Sequence, residues 1–309
     1  MTSVGSENQN LLGMPRDLAV ALGCLLALFV ALNYSAIGLL VDRWSSDDNY
    51  GHGFLIPFIS LYFVWTKKEE LAKLTPTPAK TGLAIFLFGL LLRFFVPPLE
   101  SAVLSGISIV IMTSGLLLYL GGWKVYRVLW LPALYLAFMV PLPEAVHAQF
   151  ALPLQKFASG VSAFLLERVF NVPVLYSWGS NVIELANHKL QVAEACSGMR
   201  SILGLLALGV AFAYFWERPL WMRIWLIVST VPIAIVANIC RVTVTGILYD
   251  REYVTLAQGF YHEFTGWFVF IFAMTLLMLE AWLLSRLFHY TQTDAKSTGE
   301  PAAEGDVRS

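Results

Sequence analysis

Cys196 stands in the stretch Glu194-Ala195-Cys196-Ser197-Gly198-Met199-Arg200-Ser201, where a polar, strand-like segment gives way to a long apolar run. The expected helix begins beside it, with Arg200 four residues on. Unpaired N–H groups in the first turn and a nearby cation both favour a thiolate, lowering the pKa from the free value of about 8.5. Such a cysteine is a nucleophile. A small apolar residue closing a membrane helix is the plainer alternative. Glu194 and Arg200 flank Cys196 as candidate supporting or substrate-binding residues.

Arg241 lies in Val236-Ala237-Asn238-Ile239-Cys240-Arg241-Val242-Thr243-Val244-Thr245-Gly246, an otherwise apolar or small-polar run. A guanidinium within a membrane span costs several kcal/mol on insertion scales, about 2.5–3.5 at the helix centre and less near the interface. One role that would offset this cost is to stabilise an oxyanion or grip a carboxylate; a snorkelling anchor is the other. Asn238, three residues earlier, shares the helix face and is placed to orient Arg241. His262, in Phe260-Tyr261-His262-Glu263-Phe264, precedes the last apolar run. Its ordinary pKa near 6.5 suits a general base for a thiol.

The elements that must carry these side chains are membrane helices. The chain is 58% hydrophobic and 13% charged, with mean hydropathy +0.68. Repeated apolar runs near twenty residues mark an all-α polytopic membrane protein. About eight spans are expected, at 18–40, 51–65, 81–96, 102–120, 128–140, 197–215, 221–248 and 265–286. Arg16, Lys67, Lys68, Lys73, Lys80, Lys124, Arg127, Arg218 and Arg223 fall in alternate loops, which places both termini in the cytoplasm. The polar start followed by a full-length span does not read as a cleavable signal. Residues 1–290 are expected to form one integral membrane domain, with 291–309 a disordered cytoplasmic tail.

The topology then brings the three reactive residues to one level. From Cys196 the chain descends to Arg218, about 33 Å of helix, and from Arg223 it climbs about 27 Å to Arg241. His262 precedes the final descent. All three meet at the extracytoplasmic side.

The outer segment, 141–195, reads in two parts. Val146, Phe150, Leu154, Phe157, Val161, Phe164 and Val169 recur at helical spacing, but Lys156, Glu167 and Arg168 interrupt them. The expectation is an amphipathic helix in the outer interface, bent near Pro153. Three β-like pieces follow, at 174–178, 181–185 and 189–193, turning at Gly179-Ser180 and Ala186-Asn187-His188. This meander leads into Cys196. Elsewhere, His52 stands between two glycines in Gly51-His52-Gly53, where a structural role at a turn is expected, and Arg93 is expected to snorkel to the outer surface.

Net charge is −1, which gives no reason to expect a nucleic-acid partner. Three scattered cysteines (Cys24, Cys196, Cys240) form neither a zinc pattern nor a disulfide framework, and no glycine motif cradles phosphate. No metal or other cofactor is therefore expected. A Cys196–Cys240 disulfide stays open as a structural reading.

The Ala-Cys-Ser-Gly-Met-Arg-Ser block, the Asn238-x-x-Arg241 pair, His262 before the last helix and the block Tyr50-Gly51-His52-Gly53-Phe54-Leu55-Ile56-Pro57 together resemble the exosortase/archaeosortase family of membrane transpeptidases. The likeness covers about residues 17–290 and rests on the order and sidedness of individually weak motifs. It implies that Cys196 is the nucleophile, Arg241 the oxyanion-stabilising or substrate-orienting group, His262 the acid/base and Asn238 a supporting residue. It further implies exported surface proteins as partners. These would carry a C-terminal sorting signal of a short motif (Pro-Glu-Pro-like in many bacteria), one membrane helix and a basic cluster. Membrane lipids and an acceptor nucleophile or water complete the expected partners. Some members carry a further C-terminal domain, and with twenty or so residues after the last span none is expected here. Two other classes compete: a transporter using Arg241 as an anion site, and a membrane acyl- or glycosyltransferase for lipid-linked substrates, to which Glu194 and Glu263 are suited. A transporter calls for ionisable groups at mid-membrane, and spans six to eight read as apolar there.

Overall fold

The structure, a computed structural model, describes residues 16–95, 101–192, 198–253 and 260–288. The chain divides into two compact units, Met1–Pro141 and Leu142–Ser309.

The first unit is helical. Helices α1 (Arg16–Leu32) and α2 (Tyr34–Ser46) meet at Asn33, where the axis bends by 68°. The cause is local: buried Asn33 donates from Nδ2 to the Phe29 carbonyl, competing with the backbone ladder. A 3-10 segment, Asp48–Phe54, leads into α3 (Ile56–Thr66), and a single turn, α4 (Lys68–Ala72), follows. Helices α5 (Lys80–Phe95) and α6 (Ala102–Tyr135) then run against each other at close range. A Cβ on Gly82 would lie 2.2 Å from the Tyr119 amide nitrogen, and one on Gly115 2.4 Å from that of Phe86. Without a hydrophobic drive between helices in lipid, this close approach through small residues is what packs them.

Within α6, Gly122 breaks the helix with φ 73° and ψ −176°. That left-handed backbone suits glycine, and an added Cβ would fall 1.9 Å from the Thr77 carbonyl oxygen. Arg93 does not snorkel. It is 8% exposed and donates from Nη2 to Ser35 Oγ, while its Nε is buried without a partner. Packing of α5 on α6, set by the glycine contacts, turns this side chain into the unit.

His52 sits in the 3-10 segment, whose start is fixed by Asp47 accepting from the Asn49 amide at 3.0 Å. Its neighbour Gly53 abuts the Trp44 indole, which donates to the Met139 carbonyl at 2.8 Å. Burial pushes the His52 pKa below its ordinary 6.5, with hydrogen bonds to the backbone at Phe138 and Asn49 pulling the other way. The folded protein therefore favours neutral imidazole. Above about pH 6.5 both folded and unfolded chains hold it neutral and nothing is lost; as pH falls below that value the unfolded chain gains the proton more readily, and stability declines. A thermal-unfolding series from pH 8 to 5 should fall less steeply for His52→Gln than for wild type. Equal slopes would remove His52 as the acid-sensitive group.

The second unit opens with α7 (Glu144–Arg168), continuous through Pro153. A three-stranded antiparallel meander follows: β1 (Val174–Leu175), β2 (Val182–Leu185) and β3 (Lys189–Gln191), in the order β1-β2-β3. These are the expected pieces, shortened, and Gly179 turns the first hairpin at φ 90°. Ile183, Leu185, Leu190 and Val192 pack on Ala163 and Leu166 of α7 and on Val242. The helices α8 (Gly198–Phe215), α9 (Leu220–Asp250) and α10 (Phe260–Leu287) complete the unit.

Two expectations for the membrane elements are corrected. Helix α7 is present and carries its apolar stripe outward, as an interfacial amphipathic helix does; what differs is its course, along α9. Ala151, Ala158, Ser159, Ser162 and Ala163 are buried, whereas Phe150, Phe157 and Phe164 are 59, 56 and 59% exposed. Ser162 Oγ donates to the Ile239 carbonyl at 3.3 Å, and Leu166 fills the space beside Gly246. The helix thus runs lengthwise along α9. Small residues allow that approach, and the large apolar ones are left outward.

The second correction is the span count. Among the described residues three helical stretches are long and apolar enough to cross a membrane: Ala102–Met139, Leu220–Asp250 and Phe268–Leu287. The bent pair Ala19–Leu32 and Tyr34–Ser46 makes a fourth if it is one span. Eight were expected. The runs at 51–65 and 81–96 yield helices of only 11 and 16 residues, and those at 102–120 and 128–140 are two helical pieces joined at the Gly122 kink, which together make the one stretch Ala102–Met139. The tail, 291–309, lies outside the described residues.

Candidate active site

Helices α8, α9 and α10 place the candidate residues. Ile202 and Leu205 of α8, Ala234 and Ala237 of α9, and Val269 and Ala273 of α10 form one buried cluster. A second cluster joins Ala213, Leu226, Leu277 and Ala281. Together they fix the directions: α9 runs against both α8 and α10. From the first cluster, Arg241 lies one turn further along α9, four residues or about 6 Å. Gly198 lies four residues back along α8, about 6 Å, and His262 seven residues back along α10, about 10 Å. All three displacements lead to the same end of the bundle.

Arg200 and His262 are each the third residue of their helices, α8 and α10. Glu194 and Cys196 lie outside the described residues. Asn238 is buried, and no hydrogen bond joins it to Arg241.

Arg241 is half-buried and lines a cavity of about 210 Å³ between α9 and α10. Ala237, Cys240 and Val244 share the wall from α9, at helical spacing, and Phe268, Val269 and Phe272 face them from α10. Among the described residues the guanidinium has no ion-pair or hydrogen-bond partner; only the Arg241 carbonyl is engaged, by Thr245 Oγ1 at 2.9 Å. A cation beside an apolar hollow keeps its donors for an incoming group. Field strength there exceeds that in water, so a developing oxyanion or a carboxylate is the natural guest. Cys240 is exposed and free, as is Cys24, so Cys240 enters no disulfide.

One polar feature of these helices was not read from the sequence. Glu280 of α10 accepts hydrogen bonds from Ser229 Oγ and Trp225 Nε1 of α9, the second at 2.9 Å. The middles of the last helices are therefore not wholly apolar, as expected above. A single acid in Leu276-Leu277-Met278-Leu279-Glu280-Ala281-Trp282 was the available signal. Ser229 and Trp225 satisfy it, which gives Glu280 a helix-joining role.

A largely helical chain with several membrane-length apolar helices and one small sheet defines a polytopic membrane protein. Residues 44–279 match the family described as transmembrane exosortase (Exosortase_EpsH), a stretch that includes Cys196, Arg241 and His262, and the chain belongs to that family. Comparison with curated proteins gives no match. Comparison with solved structures gives none either.

Proposed function

We propose that this exosortase-family chain is a cysteine transpeptidase or protease of the extracytoplasmic membrane face, with both termini cytoplasmic. It cleaves the C-terminal sorting signal of exported proteins. The observation that carries the reading is the Arg241 guanidinium on an apolar cavity, unpartnered among the described residues, at the helix-bundle end toward which α8 and α10 begin.

His262 takes the thiol proton of Cys196, and the thiolate attacks the scissile carbonyl carbon. Charge passes to the carbonyl oxygen, where Arg241 donates to it. Collapse re-forms the carbonyl and breaks the C–N bond. The leaving amine takes the proton from His262, leaving a thioester on Cys196. An acceptor nucleophile or water, giving its proton to the now neutral His262, then attacks the thioester and releases the Cys196 thiolate. Asn238, Arg200 and Glu194 support these groups or the substrate. No metal or other cofactor is called for by these steps.

The thioester is the test. A reporter protein ending in a Pro-Glu-Pro motif, a membrane helix and a basic cluster is co-expressed with the chain, and membranes are quenched in acid. Mass spectrometry should find the reporter fragment on the peptide that contains Cys196, released by hydroxylamine. A processed reporter with no such adduct, or an adduct on another residue, would overturn the mechanism.

A further inference from the structure

Among the described residues the meander ends in an open edge. In the order β1-β2-β3, only β2 pairs with β3. The register joins Ile183 with Leu190, while the Val192 amide donates to the Asn181 carbonyl at 2.8 Å and the Leu185 amide to the His188 carbonyl at 2.7 Å. In an antiparallel ladder the bonded pairs alternate, so His188, Leu190 and Val192 turn their backbone groups toward β2. Lys189 and Gln191 turn theirs away, and no described strand meets them. Both residues are exposed, whereas Leu190 and Val192 are buried against α7 and α9. The inner face is fixed, and among the described residues the edge is unpaired.

We infer that the edge of β3 is the docking strand for the substrate, which adds its extended cleavage segment there as a fourth strand through the backbone of Lys189 and Gln191. This rests on the transpeptidase reading. A scissile peptide must be extended to expose its carbonyl, and an unpaired strand edge offers it alternating donors and acceptors. Position in the chain selects this occupant over a second copy of the protein. Gln191 precedes the candidate nucleophile Cys196 by five residues, a reach of at most about 17 Å. A peptide held on β3 therefore has its scissile bond within a few residues of the paired segment. Side-chain selectivity would come from the exposed face, where Lys189 is paired to Glu184 at 2.6 Å.

Two measurements test this with the full-length chain in nanodiscs and the Pro-Glu-Pro reporter as probe. Gln191→Pro removes the outward N–H yet keeps a residue that edge strands accept. Its KM should exceed that of Gln191→Ala by about ten-fold or more, with kcat little changed. Equal KM values would overturn the proposal. The second uses Cys196→Ala with benzoylphenylalanine at Gln191, so no turnover is needed. Irradiation should crosslink the reporter within about five residues of its cleavage point, and the same label at exposed Trp178 should not. A folded Gln191-labelled chain that yields no crosslink, or yields one only to a second copy of itself, also overturns it. Failure of the transpeptidase reading is distinct: Cys196→Ala would then still process the reporter, whatever the crosslink shows.

Discussion

Cys196→Ala is expected to abolish reporter processing while the protein reaches its normal level in the membrane. In enzymes whose nucleophile and base act as a unit, deleting the nucleophile costs about 10⁴–10⁶ in rate, so no product should be visible in an ordinary assay. The comparison that matters is Cys240→Ser. Cys240 neighbours Arg241, is free, and lines the same cavity. It is the thiol that the structure sets beside the cation. Processing should survive in Cys240→Ser and in Cys24→Ser, because neither thiol lies in the stretch leading into a helix N-terminus with an arginine beside it. Loss in Cys240→Ser with retention in Cys196→Ala would move the nucleophile to α9. Retention in all three would end the cysteine mechanism.

How much of this was legible beforehand depends on what each residue contrasts with. Arg241 stood out because a guanidinium in an apolar run has few structural excuses, and the structure places it on the wall of a cavity. The meander was legible for a similar reason, since period-two patterning and turn residues set its strands apart from the helices on either side. Helix α7 was legible as an amphipathic helix, and Phe150, Phe157 and Phe164 do face outward. Its course along α9 was not, because the close approach rests on small residues such as Ala158, Ser159, Ser162 and Ala163, which give no hydropathy signal. The same rule turned Arg93 inward. Its depth could be counted from Lys80, but which way it faced was set by Gly82, Gly89 and Gly115 meeting across α5 and α6. Counting apolar runs also overstated the spans. Asn33 bends the first expected span through one side-chain hydrogen bond that leaves no mark in the hydropathy, whereas the break at Gly122 falls in the gap already read between 102–120 and 128–140.

Arg241→Lys separates the two roles left open for the arginine. Both side chains place a cation at a membrane interface, so a snorkelling anchor would tolerate the exchange. An oxyanion site would not. Guanidinium presents a planar fork of donors that is weakly hydrated and ready to pair two hydrogen bonds with one oxygenated group. Lysine in its place is a compact, strongly hydrated point charge, which the apolar wall of Ala237, Val244, Phe268 and Phe272 would have to desolvate afresh. Loss of an oxyanion donor typically costs about 10²–10³ in kcat, or about 2.7–4 kcal/mol of barrier. The variant should therefore insert and accumulate normally, bind the reporter with little change in KM, and leave it uncut. His262→Ala should also leave reporter uncut, but with partial recovery as the pH approaches the thiol's own pKa, where Cys196 ionises unaided. Arg241→Lys should show no such recovery, because its defect is not a proton. Near-normal kcat in Arg241→Lys would make the residue an anchor, and recovery at high pH would place it on the thiol rather than on the oxyanion.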